Sequence, residues 1–147
     1  ADRRTLAPGG PATRAGPALA ALARLPSRDF DEPCELGGRM TGRITIDDGI
    51  DAAGTGTIRS TIVAVPRGCL VRAGTRTLAV NGSPSLDFAL TMSFREHRAI
   101  SDLVFRARGG IAWKGGGCVL DYTITVTPRG EGSVRGTVCG QDIREDF

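Results

Sequence analysis

Apolar and polar residues alternate in three successive runs over residues 77–126. In the first run Leu78, Val80, Leu86, Phe88, Leu90 and Phe94 hold even positions, and Thr77, Asp87, Thr91 and Ser93 hold odd ones. In the second, Leu103, Phe105, Ala107, Ile111 and Trp113 share one parity against Asp102, Arg106 and Arg108. In the third, Leu120, Tyr122, Ile124 and Val126 oppose Asp121, Thr123 and Thr125. Successive side chains of a strand point to opposite faces. The runs therefore predict three long strands with one apolar and one wet face, the pattern of an antiparallel sheet.

The polar break Arg95-Glu96-His97-Arg98 predicts a hairpin centred between Glu96 and His97. That register sets Gly82 opposite Ile111, and Gly109-Gly110 opposite Ser83-Pro84. Glycine inside a strand marks a bulge or bend, so the ribbon is expected to bend once, at matched heights on both strands.

Weaker alternation predicts strands over residues 38–46 (Met40, Ile44, Ile46), 57–65 (Ile58, Ile62, Ala64) and 133–139 (Val134, Val138). Val63 and Val65 interrupt the pattern and predict a strand end buried on both sides. Residues 27–35 and 72–76 read as polar loops, Gly115-Gly116-Gly117 as a turn and residues 141–147 as a polar tail. The expected fold is all-β, a curved antiparallel up-and-down meander or small barrel of about six strands.

Before the sheet, Pro17 followed by Leu19, Leu22 and Leu25, with Pro26 as a stop, predicts a short helix over residues 17–25. A helix this short needs a surface to pack on, and the apolar face of the sheet is the nearest. Residues 1–15 form a Pro/Gly/Arg-rich arm, and residues 16–147 a single domain. An arm of this composition has no fold of its own. Arg3, Arg4, Leu6 and Arg14 are its candidate partner-binding residues.

Cys34, Cys69, Cys118 and Cys139 are the only cysteines. An even count fits a disulfide framework and an oxidising compartment. In an up-and-down strand order all four fall at one end of the sheet. The simpler pairing joins neighbouring strands, Cys34 with Cys69 and Cys118 with Cys139. The alternative, Cys34 with Cys139 and Cys69 with Cys118, belongs to a closed barrel. A tetrathiolate zinc site lacks the usual C-x-x-C pairs. A chain that starts at Ala1 without methionine reads as the product of signal-peptide removal. Together these features predict a secreted, periplasmic or cell-surface protein.

Composition narrows the functions. The chain has 21 glycines among 147 residues, as a turn-rich β-protein needs. Its single lysine, Lys114, leaves 18 of the 19 basic residues as arginine, a bias that a GC-rich bacterial genome produces. Net charge is +3 and the arginines are scattered, so no basic stripe for nucleic acid exists. No apolar run is long enough for a transmembrane helix.

Candidate chemistry is sparse. His97, the only histidine, falls at a hairpin tip, where a Ser–His–Asp site is not expected. Asp47, Asp48 and Asp51 could offer oxygens to calcium, but their spacing is not that of an EF-hand. Asp87, Asp102 and Asp121 share the wet face with Arg106 and Arg108, near Arg98, and read as cross-strand ion pairs. No catalytic residue, cofactor or metal site is expected. The sequence points to a non-enzymatic structural or accessory subunit of an extracellular or envelope assembly, docking other protein subunits partly through its arm. The alternative is a carrier that holds a lipid or other hydrophobic ligand on the apolar face.

Overall fold

The computed structural model describes residues 27–147. The arm and the helix expected over residues 17–25 lie outside them. Within them every regular element is a strand: β1 (Ser27–Pro33), β2 (Arg39–Asp48), β3 (Gly56–Arg67), β4 (Cys69–Ala73), β5 (Arg76–Arg95), β6 (Arg98–Ala99), β7 (Leu103–Trp113), β8 (Gly116–Val126), β9 (Gly132–Val138) and β10 (Gln141–Asp146). They form one antiparallel sheet in the order β1-β2-β3-β5-β7-β8-β9-β10, with β4 and β6 paired to β5.

The ribbon is β5, β7 and β8. Its tip is the two-residue loop Glu96-His97, with Arg95 opposite Arg98. Both loop residues have positive φ, 51° and 68°, which matches the twist of a tight hairpin. Gly82 does lie opposite Ile111. Between Gly82 and Leu86 the register shifts, so that Leu86 rather than Pro84 faces Gly109. The intervening residues bulge against the glycine pair: a Cβ on Gly109, whose φ is 135°, would strike the Ser85 carbonyl. The expected irregularity is thus present, as a bulge that adds residues to β5 and raises its local twist.

Four expectations are corrected. The sheet has ten strands rather than about six. Residues 27–33 and 141–146, read as loop and tail, are its edge strands, and residues 69–73 form a short hairpin partner of β5. Edge strands need only one covered side, so SRDFDEP and QDIRED each carry a single large apolar residue and give little alternation. Gly116 and Gly117 belong to β8, leaving Lys114-Gly115 as the loop. Val63 is 43% exposed on the wet face rather than buried on both sides.

The sheet is also open, not a barrel: β1 and β10 end the path and do not meet. Each carries three acidic residues and one arginine, so closing the sheet would bring like charges together. Charged edge strands also discourage pairing with other chains. Each is fastened inward by ion pairs on the wet face, Arg39 with Asp31 and Arg43 with Asp29 (2.9 Å) for β1, and Arg135 with Asp146 (2.7 Å) for β10. Such exposed pairs are worth a few tenths of a kcal/mol each, so they favour this register more than they stabilise the fold.

Candidate functional site

The favoured cysteine pairing is present, Cys34 with Cys69 and Cys118 with Cys139, with Cα separations of 5.6 and 4.4 Å. No thiol is left free, which removes the tetrathiolate zinc reading. The two bridges suit an extracellular or otherwise oxidising compartment. All four cysteines sit at one end of the sheet, where Cys69 pairs with Val80 and Cys118 with Ile111. Cys69, Val80 and Cys118 are among the few fully buried apolar residues, together with Ala64 and Ala107 nearer the middle. Asn81 completes this end by accepting the Gly68 N–H at 2.8 Å, which holds the turn between β3 and β4.

The groups with possible chemistry are engaged in local structure. Asp51 Oδ1 accepts the N–H groups of Ala53 and Thr55, and Asp48 Oδ1 accepts that of Ile50. These carboxylates shape the β2–β3 loop from within. His97 and Glu96 dock the ribbon tip on that loop, through N–H bonds to the Gly54 carbonyl and the Thr55 hydroxyl, each 3.0 Å. Among the described residues no group of three or more His, Cys, Asp or Glu could hold a metal ion. On the wet face Arg106 reaches Asp121 at 3.3 Å and Ser85 donates to Asp87. Asp87, Arg106 and Arg108 border an open hollow of about 310 Å³ over Thr61 and Ala89. Asp102 contributes its backbone carbonyl, to the Ser101 hydroxyl. Among these groups the structure gives Arg106–Asp121 as the ion pair.

The apolar face is a surface built by many strands. Pairing aligns it in rows that cross the sheet. One row holds Ile44, Ile62, Phe88, Ala107 and Tyr122; the next holds Ile46, Ser60, Leu90, Phe105, Ile124 and Val134. The centre is marked by Phe88 and Phe105, whose rings stack with centroids 5.8 Å apart. Ala107, beneath them, is fully inaccessible, whereas the large side chains around it are half-buried. The substantial contacts between elements all join hydrogen-bonded neighbours. All ten described strands belong to this one open sheet and the large side chains of its apolar face are half-buried, so among the described residues the sheet forms a single layer. A folded domain normally hides such a face under another layer.

The sequence made this face legible, because strict alternation over long strands fixes which side chains share a side. It missed the edge strands that widen the sheet. The candidate partner-binding residues Arg3, Arg4, Leu6 and Arg14 lie outside the described residues. No described helix is long and apolar enough to cross a membrane. Comparison with models of protein families, with curated proteins and with solved structures finds no match to this chain.

Proposed function

We infer that the protein acts by binding rather than catalysis, as a structural or accessory subunit of an extracellular or envelope assembly. The observation that supports this reading is the single-layer sheet with its continuous apolar face. Apolar surface gains about 25 cal/mol per Å² on leaving water, so a face of many half-exposed aliphatic and aromatic side chains is a strong driving force for association. The arm, with Arg3, Arg4, Leu6 and Arg14, supplies a second, charged attachment to the partner.

A second reading is a carrier of a lipid or other hydrophobic ligand, favoured by the mixture of branched aliphatic residues around a stacked phenylalanine pair. Small-molecule sites are largely apolar with few polar groups. Native mass spectrometry of the protein isolated from its source separates the two. A co-purifying protein at fixed stoichiometry is the expected result. A bound lipid moves the assignment to the carrier, and a bare monomer refutes both. Deleting residues 1–15 should weaken the assembly while leaving the sheet's circular dichroism unchanged. Undiminished assembly would remove the arm from the interface.

A further inference from the structure

We propose that the hollow on the wet face is a second docking site, which takes a glutamate side chain of a partner protein against Arg106 and Arg108. The site lies on the side of the sheet opposite the apolar face, and it rests on the reading that the protein works by binding another protein. Strand register builds it. Thr61, Ala89 and Arg106 stand side by side in one row across β3, β5 and β7, and Val63, Asp87 and Arg108 in the next. These six exposed residues line the open space of about 310 Å³. Ala89, in the middle of the first row, has no side-chain atom beyond Cβ to fill it.

The lining selects the ligand. Arg106 and Arg108 are two residues apart on one face of β7, about 6.6 Å along the strand. Each guanidinium presents a planar fork of donors that fits a carboxylate. Arg106 is oriented by Asp121, at 3.3 Å. Asp87, the one acid of the lining, has an oxygen engaged by the Ser85 hydroxyl at 2.8 Å. The lining thus sets two positive charges against one negative, and an anion complements it. Val63, 43% exposed, and Ala89 favour an anion on an aliphatic stem. Because the hollow is open, it cannot bury most of a free small molecule, as small-molecule sites do. A side chain held by the rest of a protein has no such need. The same face continues the apolar contact with Val104, two residues before Arg106, and Val119, two residues before Asp121, both exposed. Arginine is enriched in protein interfaces, and lysine, absent from this face, is depleted there.

Side-chain NMR on the full-length protein tests the site. The probe is N-acetylglutamate N-methylamide, with its glutamine analogue as control. The glutamate probe should shift the Nε–H signals of Arg106 and Arg108 and the methyl signals of Val63 and Ala89, and the shifts should saturate. Arg108→Gln should weaken this binding about threefold or more, with the backbone amide signals of the sheet retained. Equal shifts from the glutamine analogue, or shifts as large at Arg129 in the β8–β9 loop, would overturn the proposal. So would an unchanged affinity in Arg108→Gln. Inorganic phosphate binding more tightly than the glutamate probe would assign the hollow to a phosphate-bearing polymer and overturn it as well. A protein that co-purifies equally with the native and Arg108→Gln chains sinks the site but leaves the binding role standing. Glutamate binding with no co-purifying protein sinks the binding role, and the partner's side chain with it.

Discussion

The two ends of the sheet are held by different means. At the cysteine end two disulfides, the bulge before Leu86 and the buried trio Cys69, Val80 and Cys118 fix the strands. At the other end the exposed Glu96-His97 tip meets the β2–β3 loop without a covalent link, through backbone N–H bonds to half-buried Thr55 and buried Gly54 and the close approach of the His97 ring to Gly54. The bridges act on the unfolded chain whatever the solvent does, whereas hydrogen bonds replace bonds to water and return little net energy. A one-layer sheet lacks an ordinary core, so covalent closure at one end replaces part of what a second layer would provide. The opposite end is left to local turn chemistry.

This contrast can be broken from either side. The largest effect is expected from Cys118→Ser with Cys139→Ser. The closed loop spans a sequence separation of 21 residues, and losing it should cost about 3 kcal/mol, read from the midpoint of urea unfolding. Gly109→Ala comes next. The backbone there is at φ 135° and the Ser85 carbonyl occupies the Cβ position, so a loss of about 2–3 kcal/mol is expected. A neutral result would mean that the bulge relaxes freely and does not brace the cysteine end. The smallest effect is expected at the other end, where Asp51→Ala removes the acceptor of two backbone N–H groups. About 1 kcal/mol should be lost, with faster hydrogen exchange confined to residues 49–56. A loss as large as that of the disulfide variant would erase the contrast.

What was legible and what was not follow from how each element is solvated. β5, β7 and β8 pair on both sides and bury one face, so their sequences alternate strictly and even their hairpin centre could be placed. β1 and β10 pair on one side only, and most of their positions face water. Their sequences are selected for charge, and only pairing through Phe30 opposite Gly42 and Ile143 opposite Gly136 reveals them as strands. β4 hid for a different reason: its turn at Ala73-Gly74-Thr75-Arg76 looks like a loop from end to end, and half of it is. The disulfide pairing was legible because strand direction alone puts the cysteines at one end. Its choice over the barrel pairing depended on β1 and β10 staying apart.

The sequence by itself determined the strand class, the presence of an irregularity at the glycines, the hairpin tip and the sidedness of the sheet, since each rests on local periodicity or on backbone freedom at named residues. Only the tertiary structure decided how many strands join, that the two acidic edges remain open, and that the described residues form one layer. Those outcomes depend on which distant segments pair and on what charge repulsion and edge solvation forbid. The apolar face was written in the alternation of residues 77–126; its width, and its lack of a covering layer among the described residues, were not.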